Sequence, residues 1–293
     1  MNRYLIFRTD RIGDFLITAI LLKCIKKNDT NAHITLIASN SNLSYIKTFP
    51  YVNQVIPLNN NFSSKLNLFF KLSKFKYKNI ILHDNKKRSK LISFFLKSNK
   101  KINIKNKTKI SHIEIIKDIL KKMEFDYFDE ALNTLDHHKK NNANDKGSIQ
   151  LHFDEKWIFN DYIKKFIKIE PTEIELINFI KMIINKSEKK LLITTGVKLP
   201  KIMEKIKPTL SKLKIEIYEN LNFSHLEKIT SKSNILISCH GAISHVAAAN
   251  NIKQIDIIDK SYDYAKWTEH FRNYKSLYRD SFNILSNKII ELI

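Results

Sequence analysis

Short apolar runs alternate along the chain with longer segments in which apolar residues recur every three or four positions. The short runs predict buried strands, and the periodic segments predict helices that cover them. The alternation continues to the end of the sequence without an internal repeat of solenoid length. Strand alternating with helix at this interval predicts an α/β fold built on parallel, doubly wound sheets.

The predicted elements fall into two halves of similar design. In the first half, strands are predicted at residues 4–7, 33–38, 54–58, 80–82 and 101–104, and helices at 15–22, 41–49, 63–77, 86–96 and 111–123. In the second half, strands are predicted at residues 148–153, 190–195, 214–218, 234–238 and 255–258, and helices at 173–185 and 280–293, with further helices in the gaps.

A polar tract, HHKKNNANDKG at residues 137–147, predicts the linker between the two halves. We therefore expect an N-terminal domain at residues 1–146 and a C-terminal domain at residues 147–293. Adjacent histidines such as His137 and His138 can bind metal, but no carboxylate or third histidine accompanies them at a workable spacing. They are interpreted as solvated linker residues, and no metal site is predicted.

Composition limits the number of domains, the membrane topology and the redox environment expected for the protein. Its 293 residues, 43% of them hydrophobic, suffice for two α/β domains. The apolar run at residues 15–22 is shorter than the ~20 residues that span a bilayer. Cys24 and Cys239 are the only cysteines, which favours a reducing cytoplasm over a disulfide framework. No cofactor is predicted.

The formal net charge of +22 is unevenly distributed, because residues 60–110 contain fifteen Lys or Arg and a single acid, Asp84. A positive charge of this size is typical of proteins that bind nucleic acid. The excess is mostly Lys in a chain rich in Ile and Asn, which is typical of A/T-rich codon usage and weakens that interpretation. A solvated face is one remaining interpretation. The other is a surface that rests on anionic lipid or a phosphorylated glycan, where each Lys contributes ~1 kcal/mol.

The most informative segment is Arg8-Thr9-Asp10-Arg11-Ile12-Gly13-Asp14, between the first predicted strand and the first predicted helix. Such a connection lies at the carboxyl end of a strand, where open α/β sheets bind ligands, and a helix N-terminus favours negative charge. Spacing alone leaves two interpretations of Asp14. It either caps the helix or serves as a carboxylate for chemistry.

This segment resembles the opening signature of glycosyltransferase family 9, the lipopolysaccharide heptosyltransferases, at Arg8, Asp10, Arg11, Ile12, Gly13, Asp14 and Thr18. The resemblance implies a GT-B fold, with two Rossmann-like domains facing a cleft, and an inverting, metal-independent sugar transfer. It implies that Asp14 is the catalytic base, which takes a proton from the acceptor hydroxyl. Arg8 and Arg11 would hold anionic groups, with Asp10 and Gly13 in the same acceptor-side turn.

In the second half, a buried strand passes through a turn of small residues into an Ala-rich helix. Backbone amides and the helix dipole at such a point favour a diphosphate. The segment is similar to the family's D-[ST]-G-x-x-H-[LV]-A-A-A signature, with His240 in place of the acid that reaches the donor sugar. His245 fits the signature, or is a core residue that orients the turn. The donor-binding residues predicted here are His240, Gly241, Ala242, Ile243, Ser244 and His245.

Three further segments are candidates for ligand binding. Lys156 resembles the family's phosphate-binding lysine, since a compact ammonium suits a leaving diphosphate, or it is a helix-start lysine between acids. Thr194, Thr195 and Gly196 form a strand-end turn suited to donor contacts. In the first half, Lys86 and Arg88 follow a buried strand and either bind an acidic acceptor or form an ordinary basic turn.

Together these patterns predict a cytoplasmic glycosyltransferase, peripheral to the inner face of the membrane if the basic segment binds lipid. It would move a heptose or similar sugar from an ADP-heptose-like donor to a lipopolysaccharide core or another glycolipid or oligosaccharide acceptor. The resemblance also implies that the last helix returns to the first domain. Two alternatives remain: an inactive glycan-binding relative, favoured by the altered turn at residues 239–241, and a basic nucleic-acid-binding protein, although nucleic acid is not the expected partner.

Overall fold

A computed structural model describes residues 1–59, 61–104, 110–135, 147–158, 166–197, 199–213 and 215–293. The chain divides into two compact units. The first comprises Met1–Thr134 with Ala265–His270, and the second comprises Leu135–Tyr264 with Phe271–Ile293. The predicted linker, including His137 and His138, lies outside the described residues except for Gly147. The boundary at residue 146 therefore stays a prediction.

The first unit contains a five-stranded parallel sheet in the order β3-β2-β1-β4-β5. Its strands are β1 (Asn2–Arg8), β2 (Ala32–Ala38), β3 (Gln54–Pro57), β4 (Tyr77–Leu82) and β5 (Ser98–Asn103). Its helices are α1 (Ile12–Asn28), α2 (Leu43–Ile46), α3 (Phe62–Ser73), α4 (Lys87–Phe94) and α5 (His112–Met123), followed by a 3-10 turn at Asp129–Leu132.

The second unit contains a six-stranded parallel sheet in the order β11-β10-β9-β6-β7-β8. Its strands are β6 (Ser148–His152), β7 (Lys190–Thr194), β8 (Glu216–Tyr218), β9 (Ile235–Cys239), β10 (Lys253–Ile258) and β11 (Tyr274–Tyr278). The helices of this half are α6 (Glu173–Lys186), α7 (Lys201–Lys212), α8 (Phe223–Ser231), α9 (Ala242–Ala249), α10 (Ala265–Thr268) and α11 (Phe282–Leu292), of which α10 belongs to the first unit.

Both sheets have the strand order of a Rossmann fold, which confirms the predicted α/β, doubly wound class. In such a sheet the chain reverses its winding at one place, and a crevice forms there beyond the carboxyl ends of two neighbouring strands. The reversal falls between β1 and β4 in the first unit and between β6 and β9 in the second. The connections that follow these four strands are therefore the places where each unit can bind a ligand.

The central strands are continuous apolar runs because helices cover both faces of each sheet. Tyr4, Leu5, Ile6 and Phe7 of β1 are fully buried. Helix α1 is buried over nearly its whole length, since it packs on both the sheet and α5. This packing fixes the turn between β1 and α1 from both ends.

Element boundaries differ from the prediction where local pattern and tertiary packing conflict. The helix predicted for residues 63–77 ends at Ser73, because Tyr77 pairs with β5 as the first residue of β4. Strand β11 was not predicted, since most of its residues are exposed at the edge of the sheet and give no apolar run. No helix within the described ranges combines the length and apolar character needed to cross a membrane.

The last helix also departs from the expectation. The resemblance implied a return to the first domain, but α11 packs on α6 within the second unit. The ring of Phe282 lies 5.5 Å from that of Phe179 and 6.2 Å from that of Trp157, so the apolar face of α11 is buried there. The short segment Ala265–His270 joins the first unit instead.

The packing of α11 predicts the effect of shortening the aromatic side chain at its first residue, Phe282. Phe282→Ala removes a buried ring and should lower the free energy of unfolding of the second unit by about 3–5 kcal/mol. Ile284→Ala on the exposed side of α11 is the matched control and should cost less than ~0.5 kcal/mol. Urea denaturation followed by far-UV circular dichroism measures both, and equal losses would show that α11 does not close this core.

Candidate functional site

Arg8 ends β1 and holds the turn that follows it. The residue is 4% exposed, and its guanidinium donates to the Asp14 carbonyl at 3.0 Å, the Asp14 carboxylate at 3.2 Å and the His83 carbonyl at 2.6 Å. A second carboxylate, that of Asp10, lies 3.5 Å from the same guanidinium. These charge-assisted bonds compensate the burial of the positive charge. In this arrangement Arg8 orients Asp14 rather than presenting its charge to solvent.

Asp14 lies in the first turn of α1, and its carboxylate accepts the backbone N–H of Arg11 at 3.2 Å. The residue therefore caps the helix, as one interpretation of the sequence proposed. Its side chain remains 19% exposed, so capping leaves the carboxylate accessible. Gly13 is buried at the start of the helix, and the side chain of Arg11 is exposed. The turn thus offers a partly exposed carboxylate beside an exposed guanidinium.

The connection after β4 meets this turn, as the strand order requires. Lys86 pairs with the Asp10 carboxylate and donates to the Thr9 carbonyl at 2.9 Å. Arg88 donates to the Thr9 hydroxyl at 3.0 Å, and that hydroxyl donates to Asp84 at 2.6 Å. The predicted acceptor-side residues of the two connections therefore lie together at the reversal point of the first sheet.

Three buried histidines of the first unit lie near this network. Burial, and to a smaller extent the nearby Arg8 and His112, hold the pKa of His83 well below its usual value, and His83 Nδ1 lies 2.9 Å from the Thr18 hydroxyl. Burial lowers the pKa of His112 to about 4, with smaller contributions from Arg8 and Lys266. Burial, with His112, lowers the pKa of His270 to about 4. All three are therefore neutral at physiological pH.

In the second unit, Lys156 follows β6 and lies against the start of α9. Its Nζ bonds the buried Asp154 carboxylate at 2.5 Å. Burial raises the pKa of Asp154, but the charge of Lys156 and bonds from His152 and Lys156 outweigh it and hold that pKa well below its usual range. A Cβ at Gly241 would lie only 2.7 Å from Lys156 Nζ, so the absence of a side chain at this position permits the close approach.

The turn after β9 is organised by one buried carboxylate. Asp256 of β10 is fully buried and accepts hydrogen bonds from the Ser238 hydroxyl at 2.8 Å and the Ser244 hydroxyl at 2.9 Å. His240 Nδ1 lies 2.9 Å from its other oxygen, and because a carboxylate only accepts, Nδ1 carries the proton. Ser244 in turn accepts the N–H of Gly241 at 3.1 Å. The position of His240 is thus set by the strand beside it.

Other predicted donor-binding side chains are occupied within the protein. The Thr194 hydroxyl is buried and bonds Gln150 at 2.9 Å and His152 at 3.0 Å. The ring of His245 is buried and lies 5.3 Å from that of Phe271. Ile243 and Thr195 are also buried, so the contacts they can make to a ligand come through backbone groups. At Gly196 a Cβ would lie 2.7 Å from the Glu155 carboxylate.

Sequence reasoning did not select three residues that hold the second site together. Asp154 anchors Lys156, and Asp256 anchors His240 and Ser244. Arg279, which follows β11, is buried and donates to the Lys156 carbonyl at 2.6 Å. The signal for Asp256 was present, because an acid inside the apolar run at residues 255–258 must find buried partners. Arg279 carried no comparable signal, since β11 itself was not predicted.

In both units, polar side chains from two neighbouring connections meet where the winding of the sheet reverses. Two Rossmann-like units of this kind define the GT-B fold class that the resemblance implied. By sequence, the chain matches no protein-family model and no curated protein.

Comparison of structures gives full-length matches. The E. coli heptosyltransferase WaaC with ADP superposes with a TM-score of 0.74 at 13% identity, covering 99% of this chain and 100% of that chain. E. coli ADP-heptose lps heptosyltransferase II superposes with a TM-score of 0.70 at 12% identity, covering 99% of this chain and 97% of that chain. A glycosyl transferase family 9 protein from Veillonella parvula DSM 2008 superposes with a TM-score of 0.67 at 11% identity, covering 99% of this chain and 88% of that chain. UDP-GlcNAc 2-epimerases share the architecture as well. The likeness confirms the predicted fold.

The buried histidines predict how stability changes with pH. Because the folded pKa of His112 is about 4 and the unfolded value is 6.5, its contribution is complete above pH 6.5 and is lost as pH falls toward 4. Each such histidine contributes up to ~1.4 kcal/mol per pH unit to that slope. His112→Gln should make the slope of unfolding free energy between pH 6.5 and 4 shallower, as measured by urea denaturation. A slope equal to that of the wild type would contradict this explanation.

Proposed function

We propose that this protein is a glycosyltransferase that moves a sugar from a nucleotide-sugar donor to a glycan acceptor. The observation that supports this most directly is the Asp14 carboxylate, held by Arg8 at the ligand-binding end of the first sheet while it stays partly exposed. The motif around it resembles that of glycosyltransferase family 9, and the fold independently resembles heptosyltransferases. WaaC has been solved with ADP and with ADP-2-deoxy-2-fluoro heptose, which supports an ADP-heptose-like donor.

The proposed reaction inverts the anomeric carbon and uses no metal, as the family resemblance implies. Asp14 accepts the proton of an acceptor hydroxyl while that oxygen forms a bond to the anomeric carbon of the donor. The bond from the anomeric carbon to the diphosphate oxygen breaks, and its electron pair stays on the diphosphate. Lys156 and the first amides of α9, at Ala242 and Ile243, would stabilise this developing charge. A helix leaves such amides without partners inside the helix, so they are suited to an anion.

The acceptor is proposed to bind in the first unit through the exposed part of the network. Arg11 carries an exposed guanidinium beside Asp14, and Lys86 and Arg88 reach the same turn. Phosphate or carboxylate groups on a lipopolysaccharide core or another glycolipid or oligosaccharide would suit these cations. Arg8 and Asp10 are proposed to position the turn rather than to contact the acceptor.

His240 is proposed to contact the donor from the position where the family has an acid. Asp256 fixes its Nδ1, so the ring presents Nε2 as the atom for a ligand. The same replacement favours a second candidate function, an inactive relative that binds glycans without transferring sugar. The cytoplasm is the proposed setting, since both cysteines are buried and unpaired.

Replacing the proposed base separates transfer from binding. Asp14→Asn keeps the size of the side chain but cannot accept the acceptor's proton, so we expect transfer to fall by about 10²–10⁴-fold. Donor binding, measured by calorimetry, should stay within a few-fold of wild type. Asp118→Asn is the matched control, because Asp118 is an exposed acid of α5 that pairs with Lys122, and it should leave transfer unchanged. Equal transfer in wild type and Asp14→Asn would refute the assignment, and no turnover in wild type with donor binding intact would favour the inactive relative.

The lysine of the second unit predicts an effect on donor affinity. Lys156→Met removes the ammonium beside Gly241 and should weaken ADP binding by about ten-fold or more, since a charge-assisted contact to phosphate contributes ~1.5–3 kcal/mol. Asp154→Asn is combined with it so that no unpaired carboxylate is left buried. Lys186→Met on α6 is the control for loss of a positive charge. An unchanged dissociation constant for the double variant in titration calorimetry would remove Lys156 from the site.

A further inference from the structure

Six large apolar side chains on α3 and the end of α4 are exposed, although these helices also carry buried faces. Phe62 is 79% exposed, Phe94 is 73% exposed and Phe95 is 62% exposed. A soluble surface seldom leaves several aromatic side chains together in water, so such a set usually marks an interaction site. We name this set the aromatic patch; its members are Phe62, Leu66, Phe70, Leu91, Phe94 and Phe95.

The aromatic patch is continuous between the two helices. The rings of Phe94 and Phe95 are 5.1 Å apart, Phe95 lies 6.2 Å from Phe69, and Phe69 lies 5.6 Å from Phe70. Leu66 lies one helical turn before Phe70 on the same side of α3. Leu68 and Leu72 of α3 are buried, so the helix divides its apolar residues between the core and the outside. The outward set therefore exceeds what the core of the first unit requires.

Exposed lysines surround the patch. Lys87 and Lys90 precede Leu91 and Phe94 by one helical turn on α4, and Lys101 lies with its Nζ 6.0 Å from the centre of the Phe94 ring. The acids near them do not neutralise this charge. Asp84, the one acid at residues 60–110, accepts hydrogen bonds from Thr9 and Ser89, and Glu124 lies 3.9 Å from Lys100. The exposed lysines on α3, on α4 and near them are Lys71, Lys74, Lys76, Lys87, Lys90, Lys97, Lys100 and Lys101.

We propose that the aromatic patch and its lysines form a docking surface for an anionic lipid bilayer. Aromatic and leucine side chains enter the boundary between head groups and acyl chains, while lysines beside them bind the anionic head groups. A solvated lysine face would not need the exposed rings, and a nucleic acid backbone would not bury them. Charge and apolar area therefore point to the same partner, which offers a negative surface above a hydrocarbon interior.

The position of the proposed docking surface has a consequence for binding of the proposed acceptor. Arg88 and Phe94 lie on the same helix, and their separation of six residues corresponds to about 9 Å along its axis. A membrane bound at the end of α4 would therefore bring the head-group region close to the cations that are proposed to hold an acidic acceptor. This step rests on the proposed function, whereas binding to the bilayer does not.

The test is co-sedimentation of the full-length protein with vesicles of two compositions. One contains equal parts of phosphatidylglycerol and phosphatidylcholine, and the other contains phosphatidylcholine alone. We expect wild type to bind the anionic vesicles more tightly, with an affinity that falls as salt is added. Phe70→Ser with Phe94→Ser should weaken that binding by about ten-fold or more for each ring removed. Lys87→Gln with Lys90→Gln should weaken it by about five-fold for each lysine, and only on anionic vesicles.

Matched controls lie on the second unit. Ile174→Ser with Val197→Ser changes two exposed apolar residues, at 72% and 81% exposure, and Lys181→Gln with Lys186→Gln changes two exposed lysines. Both controls should bind vesicles like wild type. The proposal is overturned if wild type ignores anionic vesicles at low salt, or if the phenylalanine variant binds as the controls do. It is also overturned if sedimentation velocity shows a dimer that this variant dissolves, or if duplex RNA binds while vesicles do not.

Failure of this proposal is distinguishable from failure of the proposed function. ADP binding by the phenylalanine variant should equal that of wild type, because the patch is far in sequence from Lys156 and belongs to the other unit. If wild type binds vesicles but never transfers sugar, the docking surface stands and the transfer proposal falls. If transfer to a water-soluble acceptor occurs without vesicle binding, the reverse holds.

Discussion

The structure depends on a topological constraint of parallel sheets. Where the winding of such a sheet reverses, the chain leaves two neighbouring strands in opposite directions, and nothing covers the space beyond their carboxyl ends. In this chain β1 and β4 form such a pair in one unit, and β6 and β9 form the other. Asp14, Lys86, Lys156 and His240 lie in the connections that follow these four strands, and residues of β10 and the end of β11 support the second site from the side. The topology of the sheets therefore sets where a ligand can bind, and the side chains at those places set which chemistry can occur.

The second requirement is that buried charges be compensated. Each unit compensates them with hydrogen bonds rather than by exposing the charged groups to solvent. Arg8 shares its donors among two carbonyls and two carboxylates, and Asp256 accepts from two hydroxyls and an imidazole. Removal of one partner from such a group leaves a charge in a medium that cannot solvate it. These residues hold the turns rigid, so that Asp14 and His240 are presented in defined positions.

The apolar pattern was sufficient to predict most of the fold, because buried parallel strands are short apolar runs that differ clearly from the helices between them. It failed at β11, whose exposed edge carries no such run. It did predict the last helix, but the unit on which that helix packs depends on tertiary contacts, and the family resemblance implied the other unit. The N-terminal motif led to Asp14 because its spacing is local. Asp256 acts across to the neighbouring strand, and Arg279 reaches the connection after a strand that is not its neighbour. Contacts of either kind are not encoded at any fixed spacing along the chain.

The close approach of Lys156 to Gly241 has a consequence for how such a site evolves. The family signature carries a hydroxyl-bearing residue where this chain has Gly241, and a Cβ there would lie 2.7 Å from the ammonium nitrogen. Regaining that hydroxyl would force the lysine to adopt another rotamer, which would in turn disturb its bond to Asp154. A side chain at residue 241 and the present position of the Lys156 ammonium thus exclude each other, so the effect of a substitution at one position depends on the residue at the other.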